Sequence, residues 1–376
     1  MTQAVDIAKV NAEGIEIERV EILERMGQEI ALAGPAAEAA WPAIRAAASA
    51  LPKRAYHAVV LTGCGDSYYA ALALRGLVEA ASGVPVLAIP AMEAVTYPSL
   101  LADDRALLVG ISVSGKVERT IEAVTNHRAR GGTTAAISAF ADSDVAAAAD
   151  APVSSGLRGT PGPVPGTANF VGSMLGIVAI AAELAQRGGM RAPWESEVQP
   201  TLGGLASAVA AGEAHGAAIA QDLAAPFCAV GSGPDLGTAW YGVAKFVEAA
   251  AAVGIAQDLE EWAHEQYFTT GPGTTVFVHA TTDAAMNRAR RVATSVLKVG
   301  GRLVTIGPAP LGLTDEHHWP IPTAIEPLRP LVAWLPMALA ARSYALYAGR
   351  FPFGIDLADR MRTVDDDIYL AEPARA

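Results

Sequence analysis

Short apolar, β-branched runs alternate with alanine-rich stretches of helical spacing along most of the chain, and the alternation runs through twice. The first passage opens with HAVVLTGCGDSYYAALALRGLVEAASG from His57 and continues with LLVGISVSGKVERTIEAV from Leu107. The second opens with FCAVGSGPDLGTAWYGVAKFVEAAAAVG from Phe227 and continues with TVFVHATTDAAMNRARRVATSVL from Thr275. In each, an apolar run ends in a Gly-x-Gly turn and passes into a helical stretch, and roughly four dozen residues later a second strand, turn and helix follow. A repeat of that length implies duplication of a whole domain. Strands alternating with helices predict parallel sheets covered on both faces. The fold class expected is α/β: two tandem three-layer α/β/α domains, each around a central parallel sheet.

Outside the repeat the pattern is helical. Residues 14–34 place apolar side chains at helical spacing among alternating charges, which predicts an exposed amphipathic helix, and a second helix is expected over 36–50. The glycine- and proline-dense stretch 157–167 reads as a loop, 170–185 as a long apolar helix, and 187–200 as the connector between the halves. The boundaries expected are N-terminal helices over 1–50, a first domain over 51–195, a second over 196–350 and a tail over 351–376.

Composition narrows the class. With 376 residues there is room for two full cores, and the 52% hydrophobic content is largely alanine. No apolar run of membrane-spanning length escapes a charge or a proline, and the N-terminus lacks the pattern of a secretion signal, so a cytoplasmic protein with no membrane partner is expected. Cys64 and Cys228 stand alone, giving neither a disulfide framework nor a zinc signature. A net charge of −12 argues against nucleic acid.

The candidate chemistry begins at the turns, because parallel sheets hold ligands where strands give way to helices. Gly63-Cys64-Gly65-Asp66-Ser67 and Ser112-Val113-Ser114-Gly115 both fall there, with Thr120 one turn into the following helix. Glycine lets the backbone approach a ligand, while helix N-termini and serine hydroxyls donate hydrogen bonds, a combination that suits a phosphate monoester. Serines also cap helices without binding anything; two serine-bearing loops on successive strands favour the ligand. The second copy has Ala280-Thr281-Thr282-Asp283 where the first has its second serine loop, so one half alone keeps the binding pattern. Neither Gly-rich turn completes G-x-G-x-x-G, which disfavours a dinucleotide, and no cofactor is expected. His317 and His318 lack any supporting metal-ligand pattern and read as a solvated loop or a lid over the site.

These motifs resemble the tandem sugar isomerase (SIS) domain proteins, among them the isomerase halves of glutamine–fructose-6-phosphate amidotransferases and stand-alone amino-sugar-phosphate deaminases. The resemblance extends from about Glu16 over nearly the whole chain. The family's Met-x-x-Glu-Ile is matched by Met26 to Ile30, its Cys-Gly-Thr-Ser by Cys64 to Ser67, and its Ser-Gln-Ser-Gly by Ser112 to Gly115. Its catalytic helix, Leu-Lys-Leu-Lys-Glu, corresponds to Ala244-Lys245-Phe246-Val247-Glu248, and its Glu-Leu-Lys-His to Glu261-Trp262-Ala263-His264. The resemblance implies that Gly65, Ser67, Ser112, Ser114 and Thr120 hold a sugar phosphate. It further implies that Glu248, Lys245 and His264 are catalytic, with His264 supplied by the second subunit of a homodimer. The residues also make sense chemically: aldose–ketose interconversion needs a base to shift a proton between C1 and C2, and a half-buried carboxylate serves. Lys245, one turn earlier, can offset negative charge, and His264 in its acidic patch can shuttle a ring-opening proton. Without the family, a surface Lys–Glu pair and a solvated histidine remain the alternative.

The departures shape the expectation. No glutaminase domain is expected, and Val113 and Val117 replace polar residues of the family's phosphate loop while Lys116 replaces an acidic one. Leu357-Ala358 is followed by Asp359 where the amidotransferases have an active-site lysine, with Arg360 and Arg362 beyond it. The expected function is therefore a sugar-phosphate aldose–ketose isomerase, with or without amination or deamination at C2. A non-catalytic sugar-phosphate regulator, and an isomerase or deaminase of a modified unphosphorylated sugar, are the alternatives.

Overall fold

The computed structural model describes residues 7–97, 104–223, 225–313, 316 and 318–354, with side chains from Glu18 onward. A 42-residue helix, α1 (Ile7–Ala48), leads into the first unit. There follow β1 (Ala58–Gly63), α2 (Asp66–Ser82), β2 (Val86–Pro90), α3 (Ala91–Thr96), β3 (Ala106–Ile111), α4 (Glu118–Ala129), β4 (Thr133–Ser138), α5 (Asp144–Ala148), β5 (Ala151–Ser154) and α6 (Ala168–Arg187). The connection carries α7 (Val198–Gly203) and α8 (Leu205–Asp222). The second unit comprises β6 (Phe227–Val230), α9 (Pro234–Ala250), β7 (Gly254–Gln257), α10 (Leu259–His264), β8 (Thr275–His279), α11 (Met286–Lys298), β9 (Arg302–Gly307), β10 (His318–Pro320), α12 (Pro330–Ala333) and α13 (Leu335–Tyr347).

The strands form two five-stranded sheets, ordered β2-β1-β3-β4-β5 and β10-β9-β8-β6-β7, and every pairing is parallel. This is the α/β architecture expected from the sequence. Successive side chains on a strand face opposite ways. Val59, Leu61, Leu107, Val109, Ala135 and Ile137 therefore join α1, α2 and α6 on one face, while Val60, Leu108 and Ala136 meet α4 and α5 on the other. In the second sheet Phe227, Ala229, Phe277 and Val304 face α8, α9 and α13, and Cys228, Val230, Val276 and Leu303 face α10 and α11. The two inner faces share one continuous core, so a single helical layer is sandwiched between the sheets.

Helix α1 departs from the expectation of two helices, the first exposed. It runs unbroken through Pro35 and Pro42 and buries Ile22, Leu23, Met26, Ile30, Ala33, Ala37, Trp41 and Ile44 against the central layer. Proline removes one backbone donor, but the apolar stripe is continuous on both sides of Pro35, and packing carries the helix across it. Helix α6 is long and apolar enough to cross a membrane by length and composition, yet 94% of its apolar window is buried in this core. Its one acid, Glu183, is paired by Arg45 at 3.0 Å and Arg187 at 2.7 Å.

The two halves begin alike and then differ. Gly65 and Gly233 precede α2 and α9 with φ of 53° and 61°, a region in which a side chain is strained. A Cβ on Gly63 would fall 2.7 Å from Cβ of Ser67, and one on Gly231 would fall 2.6 Å from Cβ of Asp235, so Ser67 and Asp235 are equivalent positions. Asp235 is fully buried, and its carboxylate accepts from the Thr281 N–H at 2.8 Å and from the Thr281 hydroxyl. The second half thus fills its own turn with a protein carboxylate.

That carboxylate yields a stability test. Burial pushes Asp235 up to about 6, against the pull of its Thr281 bonds and of Arg329. A group raised in the folded state contributes stability that is complete below its unfolded pKa and is lost as pH rises through the folded one. Measured against Asp235→Asn, the natural protein should lose on the order of 2 kcal/mol between about pH 4 and about pH 7. Denaturant unfolding of both proteins at the two pH values measures this, and a constant difference would mean that Asp235 does not titrate in that window.

Candidate active site

The ends of β1 and β3 gather the hydroxyls. Ser67 is buried in the first turn of α2, Ser112 follows β3, and Thr120 is fully buried in the first turn of α4. The loop after β3 is stitched from β4: Ser112 N–H donates to Ile137 O at 2.9 Å, and the Ser138 hydroxyl donates to Val113 O at 3.3 Å. The hydroxyls of Thr62, Ser112 and Thr120 are buried and make no hydrogen bond of ordinary geometry among the described residues. The Thr120 hydroxyl interacts with the thiol of Cys64, which burial pushes up against a weaker pull from that hydroxyl. Each unsatisfied buried hydroxyl costs about 1–3 kcal/mol, so three around one pair of strand ends are not explained by packing. Ser114 does not join them; it is exposed, and its hydroxyl accepts from the Lys116 N–H at 3.2 Å. Gly65 lies exposed at the rim of the same turn.

Helix α9 brings the charged groups to this loop. It crosses α2 closely at Gly237, where a Cβ would fall 2.5 Å from the Ala73 nitrogen, and Trp240 stacks on Tyr69 with centroids 5.8 Å apart. Two turns further on, Lys245 is completely buried. Its Nζ donates to Asp66 Oδ2 at 2.7 Å and to Glu248 Oε2 at 2.5 Å. One ammonium therefore ties the serine turn of the first half to the candidate base of the second. Behind it, the Tyr241 ring lies 5.0 Å from Nζ, and the Tyr241 hydroxyl donates to Gly166 O at 3.0 Å. Glu29 secures that glycine's loop by accepting from the Thr160 N–H at 2.6 Å and the Thr167 N–H at 3.1 Å.

The electrostatics follow from this enclosure. The Glu248 side chain keeps 30% of its surface exposed on one side and is otherwise walled in by protein. Burial pushes its carboxyl up to about 7; the Lys245 ammonium pulls against this, and the Asp66 charge adds to it. For Lys245, the desolvation that would release its proton is outweighed by the two carboxylates, which hold it above the ordinary lysine range. Lys245 is thus a captive cation, unsuited to act as a nucleophile. Asp66 was not among the residues expected here. Its only trace in the sequence is an aspartate where the resembling pattern has threonine.

His264 lies elsewhere. It ends α10 with its side chain 67% exposed, 3.7 Å from Glu260, and no contact among the described residues joins it to Glu248. Helix α10 is held by Asp258, which accepts the Glu260 N–H at 2.8 Å and the Ser232 hydroxyl at 2.6 Å. His318 sits on β10 with Nδ1 3.2 Å from the Thr305 hydroxyl. His317 and the segment with Leu357, Ala358, Asp359, Arg360 and Arg362 lie outside the described residues. Two broad hollows of about 560 and 690 Å³, one beside Lys53, Arg54 and Tyr56 and one between α8 and residues 321–325, contain none of the expected site residues.

Comparison with known proteins bears on the frame around this cluster. The SIS domain family model matches residues 54–154, the stretch that contains both serine loops. Fructoselysine 6-phosphate deglycase of Escherichia coli (strain K12) is 32% identical over 109 residues, 29% of this chain and 32% of the relative, so the match spans about a third of that protein's length. The C-terminal domain of glucosamine-fructose-6-phosphate aminotransferase from Francisella tularensis superposes with a TM-score of 0.74 at 16% identity, covering 87% of this chain and 97% of that one. Glucosamine-6-phosphate deaminase from Thermotoga maritima does so with a TM-score of 0.70 at 17% identity, covering 88% and 98%. At such identities the structures share the fold, and they share it across both halves. Residues 54–154 thus match the SIS domain model, and the chain as a whole shares the two-sheet α/β fold of these structures.

Proposed function

We propose that the chain is a sugar-phosphate isomerase-type enzyme that moves a proton between adjacent carbons of an open-chain sugar, with amination or deamination at C2 as its extension. The first domain, drawn at 51–195, anchors the phosphate through Ser67, Ser112, Thr120 and the backbone at Gly65, with Ser114 at the rim. The second, drawn at 196–350, brings the base. The observation that carries this reading is the Lys245 ammonium, which holds Glu248 against the residue that precedes Ser67. Relatives whose names include fructoselysine 6-phosphate and glucosamine 6-phosphate support a nitrogen-bearing sugar phosphate.

In this mechanism the Glu248 carboxylate takes the proton from C2 of the aldose and returns it to C1 of the cis-enediol, and the reverse for the ketose. Its half-buried setting makes it a stronger base than an exposed glutamate. Lys245 acts through Glu248, fixing the carboxylate and offsetting charge that builds beside it. Ring opening falls to His264. Because that side chain is exposed and apart from Glu248 in its own chain, it serves the site of a second copy in a homodimer.

Three outcomes test the reading. Glu248→Gln should cut turnover of the active hexose or amino-hexose phosphate by about 10²–10⁴-fold while leaving its binding intact. In the natural protein kcat/KM should fall as pH drops below about 7, because the base must be unprotonated and burial raises its pKa. Full activity in the variant would remove Glu248 from the mechanism. Secondly, inorganic phosphate at about 100 times its Kd should protect against unfolding by about 2.7 kcal/mol, and Ser112→Ala or Thr120→Val should abolish the protection. Protection by free sugars but not by phosphate would favour the unphosphorylated-sugar reading that Val113 and Val117 raise. Thirdly, Glu248→Gln and His264→Ala, each inactive alone, should regain about a quarter of the natural activity when their subunits are mixed, since half the dimers then carry one intact shared site. No recovery on proven subunit exchange would place His264 outside the site.

A further inference from the structure

Asp66 stands at the first residue of α2, between Gly65 and Ser67, and shares the Lys245 ammonium with Glu248 at 2.7 and 2.5 Å. The fold does not ask for a carboxylate there. The equivalent position in the second half, between Gly233 and Asp235, is Pro234, and the resembling family pattern has threonine. Nor is the side chain placed to satisfy itself, because Asp66 Oδ1 is buried without a hydrogen-bond partner among the described residues. What Asp66 does accomplish is to draw on the one cation that faces Glu248.

The surroundings of Glu248 make that contribution decisive. Its own helix supplies Lys245 and Tyr241, and α2 supplies Asp66 and Tyr69. From α13, Tyr344 packs on Phe246, and beyond it Arg350 donates to the carbonyls of Ala250 at 2.9 Å and Ala251 at 3.3 Å, at the end of α9. From β8, His279 bonds Thr238, near the opposite end of the helix. Among the described residues, the charged groups acting on Glu248 are thus the Lys245 ammonium and the competing Asp66 carboxylate. We propose that Asp66 is a positioning residue for Glu248: it takes a share of the Lys245 ammonium and leaves the candidate base only partly compensated at the seam between the halves. With Asp66 neutral, Lys245 would give its full attraction to Glu248 and make it a weaker base. The inference rests on Glu248 being the base, but the coupling itself is measurable without turnover.

The test is a carbon-13 NMR titration of the free protein labelled at the glutamate carboxyls, with Glu248→Gln assigning the Glu248 signal. In Asp66→Asn and in Asp66→Thr the Glu248 midpoint should fall by about one pH unit, a tenfold loss of proton affinity. Asp66→Glu, which keeps the charge, should return it toward the natural value. General loosening of the site would lower all three, so a fall in Asp66→Glu equal to the others overturns the proposal, as does an unchanged or raised midpoint in Asp66→Asn and Asp66→Thr. The acidic limb of kcat/KM should move down with the midpoint. A midpoint that falls while the limb stays put upholds the action of Asp66 on Glu248 and rejects Glu248 as the base.

Discussion

A lysine without any solvent-exposed surface is the constraint around which the two halves are arranged. Taking an ammonium out of water costs several kcal/mol, and removing one partner of such a buried pair commonly costs about 3–5 kcal/mol. Lys245 is tolerated because it finds one carboxylate on its own helix and another on α2, 179 residues away in the chain. The bond to Asp66 requires α2 and α9 to meet at backbone distance, and Gly237 permits that approach by presenting no Cβ to Ala73 and Tyr69. Helix packing, charge burial and the placing of Glu248 are thus one arrangement seen at three scales.

The proposed anchor and the proposed base also differ in the kind of group they offer. The loops proposed to receive the substrate offer neutral donors, buried hydroxyls and helix N-termini, which suit an anion but do not compete with a base for protons. The proposed base, Glu248, comes from the other half, at the last turn of a helix, where the dipole adds to burial in disfavouring its charge. Anchor and base therefore do not neutralise each other before a substrate arrives. Separation between two domains achieves what a single loop carrying both would not.

Much of this was legible along the chain. Continuous apolar, β-branched runs and Gly-x-Gly turns mark the strand ends correctly, because both reflect local backbone requirements, and the Lys245–Glu248 pair is visible as neighbours three residues apart on one helix. What escaped is what only tertiary structure brings together. Asp66 carries no local signal of its role, since its partner lies in the other half. Pro35 reads as a helix boundary because proline removes a donor, whereas the cost of one hydrogen bond is outweighed by an apolar stripe that continues to Ile44. Ser114 looks equivalent to Ser112 in sequence, yet the tight turn at Gly115 leaves it outside and directs its hydroxyl to the Lys116 N–H.

The duplicated halves fill the equivalent turn in two different ways. At the position of Ser67 the second half carries Asp235, whose two oxygens are taken up by Thr281 within the fold. An anion is held at both turns in principle, but in the second it is part of the chain, and it stiffens the junction of β8 and α9. A fixed junction suits a helix carrying the proposed base, because such a carboxylate would have to keep its place to within a fraction of an ångström. In the first half the buried hydroxyls of Thr62, Ser112 and Thr120 make no such bonds among the described residues, which leaves them for the proposed ligand. On the proposed reading, a carboxylate of the chain itself occupies one turn and leaves the other as the place for a ligand's anion.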